Sequence, residues 1–291
     1  MVTRELVSIL RCPTCRVGGL RSGGDTSAGF PAESGELRCE RCEVTYPVRC
    51  GFPILLPEGA LSGPDWDLWN EHLDKLQARR EARIRNPDDA VTRLSRRSTQ
   101  HPAFARFARI AEGRVLDVGC GPGKFRHNLD LTRVEYVGLD PLALSEVSDF
   151  PFVQGLAEHI PFRDSTFTDI VVLSALDHFR DPDGFFEEAR RVLGPGGRLH
   201  VMQSVHQVRG PITAVKVIGH KVKDALEERS TVTHGADVPK HLAEYTTRSL
   251  LEQACRTFDV ESIDEHAAAW YSPTKLFLSF TPRTRAAVRS A

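Results

Sequence analysis

The sequence predicts an α/β protein built on a mostly parallel sheet, with a small cysteine-bearing module ahead of it. Three observations predict this. Val115-Leu116-Asp117-Val118 is an apolar run that breaks into Gly119-Cys120-Gly121-Pro122-Gly123. Such a run suits a buried strand, and its alternating glycines suit a tight turn where backbone approaches a ligand. Val134 to Leu139 is a second apolar run, ending at Asp140 at the spacing of one βαβ unit. Finally, Cys12, Cys15, Cys39 and Cys42 form two C-x-x-C pairs near the start of the chain.

The totals bound the reading. A chain of 291 residues holds one large domain, or a standard domain plus a small one. A net charge of -1 gives no global electrostatic case for nucleic acid. No apolar run reaches the ~20 residues that span a bilayer. An early acid, Glu5, and Cys12 soon after are wrong for a signal peptide, so a cytoplasmic location is expected. In that compartment paired C-x-x-C units favour metal over disulfides.

Residues 1–57 form the first expected unit. Each C-x-x-C knuckle offers two thiolates, and two knuckles complete a tetrahedral four-cysteine site suited to zinc. Four thiolates leave no open position, so the expected role is folding, in a module with too little core of its own. Cys50 is expected to be a small buried residue.

Residues 58–112 are expected to connect the two units. Gly59 to Gly63 reads as a linker. Trp66, Trp69, Leu73 and Leu76 recur at helical spacing, so a helix starts near Asp65 with its tryptophans packed on a neighbouring unit. Arg79, Arg80, Arg83, Arg85, Arg93, Arg96 and Arg97 follow. The ordinary reading is a solvated face, and the functional alternative is a phosphate-binding stripe. Pro102 to Ala111 reads as a short helix leading into the first strand.

Residues 113–291 make the main domain. Asp117 sits inside the strand end, where a carboxylate repels a diphosphate and accepts from a cationic amino group. That favours a nucleoside carrying an amino acid. A helix is expected from Lys124 to Leu131. Asp140, at the end of the second strand, is placed to take a ribose diol. Ile170 to Leu173 is a further strand, ending in Ser174-Ala175-Leu176-Asp177-His178. Ligands sit beyond the carboxyl ends of such strands, so Asp177 and His178 are the candidate general base. Asp183 to Leu193 is an amphipathic helix, stopped by Gly194-Pro195-Gly196-Gly197 before strand Arg198 to Met202. Val205 to Glu244 reads as a lid-like insertion, with His206, His241 and Tyr245 as candidate substrate contacts. Helix Thr247 to Ala254 and strands Phe258 to Ile263 and Lys275 to Phe280 complete the sheet. Pro282 to Ala291 reads as a tail.

These motifs resemble class I S-adenosylmethionine (SAM)-dependent methyltransferases. The resemblance rests on the glycine turn with Asp117 before it, Asp140, the Gly155-Leu156-Ala157-Glu158-His159-Ile160-Pro161-Phe162 block and the Leu193-Gly194-Pro195-Gly196-Gly197 turn. It is greatest toward the branch of quinone-biosynthesis and natural-product enzymes. It implies a Rossmann-like seven-stranded, mostly parallel sheet with SAM as cofactor. The implied cofactor contacts are Asp117, Gly119, Cys120, Gly121, Gly123, Asp140, Pro141, Ala157, Glu158 and Ser174. Leu156 stands where that family commonly has an aspartate for adenine. The first unit, through Cys12-Pro13-Thr14-Cys15, Cys39-Glu40-Arg41-Cys42, Tyr46-Pro47 and Gly51-Phe52-Pro53-Ile54-Leu55-Leu56-Pro57, resembles the zinc-ribbon activators of tRNA, rRNA and translation-factor methyltransferases. The expected function is methyl transfer to a hydroxyl or amine of a small, natural-product-like acceptor. The alternatives are an rRNA or tRNA methyltransferase and a non-catalytic SAM-binding scaffold.

Overall fold

A computed structural model describes residues 2–22, 34–57, 64–85, 100–143, 149–205, 243–266 and 275–283. The expected linker Gly59 to Gly63, the arginines at 93, 96 and 97, residues 206–242 of the lid-like segment with His206 and His241, and the tail beyond Arg283 lie outside the described residues, as do the side chains of Trp66 and Arg83. No helix among the described residues is long and apolar enough to cross a membrane.

The N-terminal unit opens with helix α1 (Arg4–Ile9), capped by the Thr3 hydroxyl on the Leu6 amide. Strands β1 (Leu20–Ser22), β2 (Gly35–Cys39), β3 (Thr45–Arg49) and β4 (Phe52–Pro53) form an antiparallel sheet in sequential order. Helix α2 (Pro64–Arg85) and helix α3 (Gln100–Ala108) lead to the main sheet. Its strands are β5 (Gly113–Val118), β6 (Val134–Asp140), β7 (Phe152–Gln154), β8 (Phe167–Leu173), β9 (Leu193–Ser204), β10 (Phe258–His266) and β11 (Lys275–Pro282). Helix α4 (Pro182–Val192) connects β8 to β9, and helix α5 (Thr247–Ala254) precedes β10.

The order across this sheet is β10-β11-β9-β8-β5-β6-β7. The pairs from β9 through β7 are all parallel, and β11 runs antiparallel to both β9 and β10. This is the expected seven-stranded, mostly parallel α/β sheet. Chain order reverses at β5, whose neighbours are β6 and β8, so the switch point lies at the carboxyl ends of β5 and β8.

Three expectations about elements change. Residues after the glycine turn form only a 3₁₀ turn, Lys124–Asn128, instead of a helix to Leu131. The Arg126 guanidinium folds back onto the Pro122 and Gly123 carbonyls, and Asp130 starts the turn into β6 by accepting from Thr132. The Gly194-Pro195-Gly196-Gly197 stretch lies within β9, where Leu193 already pairs with Phe167. Cys50 is exposed, not buried.

The N-terminal unit does not have a core to itself. Leu6, Leu10, Leu20, Leu37, Tyr46 and Leu55 belong to one continuous apolar cluster with Val118, Phe162, Phe185 and Leu199 of the main domain. Two backbone junctions seal it. Leu10 bridges Phe162, with the Arg11 amide on the Pro161 carbonyl at 3.0 Å and the Arg163 amide on the Ile9 carbonyl at 2.9 Å. Ile54 bridges Gln154 in parallel, and the Leu55 amide donates to the Gln154 carbonyl at 2.7 Å. The second junction covers the open edge of β7, which would otherwise leave unpaired backbone groups. Phe52 stacks edge-on against Phe152 at 5.1 Å across it.

The shared core makes a direct prediction. Phe162→Ala should cost about 3–5 kcal/mol by cavity formation. Chemical denaturation should still show one transition, shifted to lower denaturant in both far-UV circular dichroism and tyrosine fluorescence. Two separate transitions in the unsubstituted protein would contradict a common core.

Candidate cofactor site and metal centre

The two C-x-x-C knuckles converge. The sulfurs of Cys12, Cys15, Cys39 and Cys42 all lie within 4.8 Å of one another. Cys12 Sγ is 3.7 Å from Cys42 Sγ, and Cys15 Sγ is 3.6 Å from Cys39 Sγ. A tetrahedral ion with zinc–sulfur bonds of ~2.3 Å requires sulfur–sulfur edges of ~3.8 Å. The cluster therefore fits zinc. Amides of Gly18, Arg41 and Cys42 donate to the Cys15 and Cys39 sulfurs, the hydrogen bonds that support sulfurs ligating a metal. Tyr46, buried below, places its hydroxyl 3.1 Å from Cys12 Sγ.

The carboxyl end of β5 carries Asp117, which is 2 % exposed. Its Oδ2 accepts from the Tyr136 hydroxyl at 2.6 Å, and its Oδ1 is buried with no hydrogen-bond partner among the described residues. Burial pushes the carboxyl up to about 7, with Asp140 adding repulsion and the Tyr136 hydroxyl opposing. An orphaned acceptor of this kind fits an absent cationic donor.

Asp140 ends β6 and is also buried. Its Oδ2 accepts the Gly121 amide at 2.8 Å, and its Oδ1 accepts the Leu142 amide at 2.9 Å. Burial raises its carboxyl, while Arg80 and the two amides work against that rise. Each oxygen keeps a lone pair for a further donor. Gly119 has φ +73° and packs so closely on Ala175 that an added Cβ would lie 2.4 Å from the alanine methyl. Gly121 also has positive φ, at +54°, but a Cβ there would meet nothing within 4 Å. The turn thus fits tightly on the β8 side and is open at Gly121. Gly123 precedes the 3₁₀ turn, also at positive φ.

The other residues expected to contact a cofactor have these partners within the protein. The Cys120 side chain packs against Gly138 in a cluster with Tyr136, Phe150 and Phe152, so its thiol is core. The Pro141 carbonyl accepts from the Gln154 side chain. Ala157 is buried in the shared core. Glu158 turns its Oε1 to the amides of Arg180 and Asp181, at 2.7 and 3.0 Å, tying its turn to the start of α4. Leu156 is buried against Trp69, with Leu56 and Leu73 beside them, which explains an apolar residue there. Ser174 takes positive φ at the end of β8, and its hydroxyl accepts from Lys275 Nζ at 2.7 Å. The expected substrate contact Tyr245 is buried, with its hydroxyl on Gln253 of α5.

Asp177 and His178 lie in the 3₁₀ turn Leu176–His178 beyond β8. Asp177 Oδ1 is 4.0 Å from His178 Nε2. The surprise is their cover. Helix α2 lies over this edge and supplies three residues that the sequence reading gave no role in the site. The Trp69 indole donates to the His178 carbonyl at 3.4 Å. His72, 1 % exposed, places Nε2 at 3.0 Å from His178 Nδ1. Arg80 places Nη1 at 3.9 Å from Asp140 Oδ1, so this member of the arginine run is turned inward and not solvated. The signal was present: Trp69, Leu73 and Leu76 set a helical stripe that continues to Arg80. Lys275, a buried lysine bridging the hydroxyls of Ser174 and Ser204 at 2.7 and 2.6 Å, had no signal beyond its place at a strand start.

Fold and site together resemble those of class I SAM-dependent methyltransferase domains, with a unit ahead of them that resembles a zinc ribbon. Comparisons agree. The family model for a methyltransferase domain matches residues 116–201, and that for a Trm112p-like protein matches residues 3–51. The chain is 40% identical over 134 residues to the ubiquinone/menaquinone biosynthesis C-methyltransferase UbiE of Haemophilus ducreyi, covering 39% of this chain and 51% of that one. It is 30% identical over 147 residues to the methyltransferase GfsG of Streptomyces halstedii, covering 44% and 49%. The chain thus spans about half the length of these relatives. Among solved structures, a complex between the Haloferax volcanii Trm112 methyltransferase activator and a methyltransferase shares the fold at TM-score 0.51 and 16% identity, covering 74% of this chain and 98% of that one. The 1,6-didemethyltoxoflavin-N1-methyltransferase of Burkholderia thailandensis, solved with S-adenosylhomocysteine, shares it at 0.53 and 14%, covering 80% and 95%.

Two predictions follow from the geometry. Metal analysis should find about one zinc per chain, as a single four-thiolate site requires; none after purification without chelator would refute the centre. Asp117 also sets a pH dependence. Its carboxyl rises from 3.8 to about 7 on folding, so the unfolded chain loses this proton first and stability falls as pH rises between those values. Asp117→Asn escapes that loss. Its melting temperature relative to the unsubstituted protein should climb between pH 4 and pH 8, by the equivalent of on the order of 3 kcal/mol. A flat or falling difference would contradict the buried raised carboxyl.

Proposed function

We propose that this chain is a SAM-dependent methyltransferase acting on a hydroxyl or amine of a small-molecule acceptor. The observation that carries the reading is the pair of buried carboxylates, Asp117 and Asp140, on either side of the open Gly121 turn at the switch point. When bound, SAM supplies a methyl group activated on a sulfonium. Asp140 is the acceptor for the ribose hydroxyls. Asp117, ionised as a cation approaches, is the acceptor for the amino group. Trp69 and Leu156, buried against each other, close the site to water. His178 takes the acceptor proton, a role worth about 10²–10⁴ in rate for a placed base.

The small-molecule reading draws support from a relative named for ubiquinone and menaquinone biosynthesis. An RNA acceptor loses one support, because Arg80 of the basic run is engaged with Asp140.

Calorimetry tests the cofactor assignment. Asp140→Ala should weaken SAM binding at least ~100-fold, the loss of two hydrogen bonds to a charged acceptor, while circular dichroism stays unchanged. Unaltered affinity would overturn the ribose assignment. Release of S-adenosylhomocysteine across a panel of phenolic, quinol and amine acceptors tests turnover. His178→Ala should lower kcat ~100-fold or more with SAM affinity within ~3-fold. Tight binding to RNA that falls steeply with salt would instead favour the RNA reading, and SAM binding without turnover on any acceptor would favour a scaffold.

A further inference from the structure

We infer that Lys275, Ser174 and Ser204 form an acceptor subsite at the carboxyl edge of the sheet, one that holds a carboxylate carried by the methyl acceptor. The inference rests on the methyltransferase reading and narrows its acceptor class to small molecules that bear an acid group apart from the methylated atom.

Strand register brings the three residues together. Lys275 opens β11, a strand paired on both sides, and stands opposite Ser204 on β9 and His266 on β10. Ser174 directly follows β8 and takes φ +54°. Its amide donates to the Met202 carbonyl at 2.7 Å, which pins it beside β9. Phe277 lies two residues beyond Lys275 and so on the same face of the sheet. Its ring packs on Phe104 and Phe107 of α3 and stacks on His266 at 5.1 Å. The start of β11 is therefore held in rigid, aromatic surroundings.

The direction of two protons follows from the hydrogen bonds. An ammonium only donates, whereas a hydroxyl has one proton and two lone pairs. Lys275 Nζ donates to Ser174 Oγ at 2.7 Å and to Ser204 Oγ at 2.6 Å. Each hydroxyl thus accepts from the lysine and turns its own proton away from it, whatever else the ammonium contacts. Among the described residues neither hydroxyl proton meets an acceptor. Both serines are half-buried, so a ligand can reach those protons, while Lys275 itself is 8 % exposed. A charge so placed acts more strongly than it would in water, and it polarises both hydroxyls toward the ligand. Its field extends to His101 at the start of α3. Burial pushes that imidazole down, and Lys124 and Lys275 push it down further.

Two polarised donors on one cation suit an anion with two acceptor oxygens, and a carboxylate has that form. A primary amide offers one oxygen and no charge, and an ammonium would meet only donors. The cofactor also carries a carboxylate, on the same carbon as its amino group. In the function proposed above that amino group goes to Asp117. In the ladder Asp117 is level with Val171 and His200. Ser204 lies beyond His200 on β9, ~13 Å along the strands and ~10 Å across the sheet from the level of Asp117. One amino acid does not span both positions, so the carboxylate held by the serines comes from the acceptor.

The test uses the full chain saturated with S-adenosylhomocysteine, whose binding is measured first. Benzoate, phenylacetate and 3-phenylpropionate are titrated in, each beside its primary amide, with ligand-observed NMR as the readout. At least one acid should bind, and ~10-fold or more tightly than its amide. Ser174→Ala and Ser204→Ala should each weaken that acid ~10-fold or more, the loss of one hydrogen bond to a charged group. SAM affinity should stay within ~3-fold in Ser204→Ala. Lys275→Met should abolish acid binding; each serine variant removes a single hydroxyl and carries the test alone if Lys275→Met does not fold. Acids that bind no better than their amides, acids that bind both serine variants undiminished, or no acid binding at all would overturn the inference. A second arm separates the two sources of carboxylate. If Ser204→Ala weakens SAM but not 5′-methylthioadenosine, which lacks the amino-acid carboxylate, the site serves the cofactor and the acceptor assignment fails. None of these readouts needs turnover, so a failed acid site and a failed methyltransferase reading are told apart.

Discussion

The Leu55 amide on the Gln154 carbonyl, with Ile54 bridging the same residue, is the contact on which the rest of this structure depends. It pairs the N-terminal unit to the edge strand of the main sheet and satisfies backbone groups that would otherwise face solvent. The Leu10–Phe162 bridge does the same at a second point. Between them lies a single apolar core to which both units contribute. The zinc cluster thus anchors more than the small unit: Cys12 and Cys39 are themselves members of that core.

Helix α2 converts that docking into chemistry. Its buried face runs from Trp69 and His72 to Arg80, eight residues or about 12 Å along the axis from His72. One end meets His178 beyond β8, and the other meets Asp140 beyond β6. The helix therefore lies along the carboxyl edge of the sheet and spans the switch point. Burial then does two opposed things. It raises Asp117 and Asp140, each destabilised by desolvation, and it leaves Asp117 Oδ1 without a partner. Two like charges in one dry crevice are costly, and Arg80 is the compensation the chain itself provides. A cationic ligand would add to it.

The fold was legible because its determinants are local. Apolar runs ending in Asp117 and Asp140 marked β5 and β6, and the periodicity of Phe185, Phe186, Ala189 and Val192 marked α4. The four cysteines were legible from spacing alone. The glycine turn was legible as a turn, but its continuation as a helix was not. That outcome hinged on Arg126 folding back onto carbonyls, a tertiary choice invisible to propensity. The residues expected to contact a cofactor divide the same way in where their side chains lie. Asp117 and Asp140 are fixed by their strands. Cys120 and Glu158 occupy the expected stretches but point into the core and toward α4, since side-chain direction depends on neighbours distant in sequence. His72 was missed because nothing local marks a histidine on an apolar stripe as anything but core.

The two ends of α2 bear on specificity differently. At the Asp140 end, Arg80 competes with any donor for the same carboxylate, so its distance of 3.9 Å leaves room for a hydroxyl but weakens the incentive for a second cation. At the His178 end, the contact with His72 engages one ring nitrogen of each histidine. In the function proposed above, a ligand bound along the helix meets a carboxylate at one end and paired imidazoles at the other. Leu156, apolar where Trp69 covers it, offers nothing polar between them. In that proposed function, discrimination among acceptors falls to the groups around His178, and Trp69 and His72 of α2 are two of them.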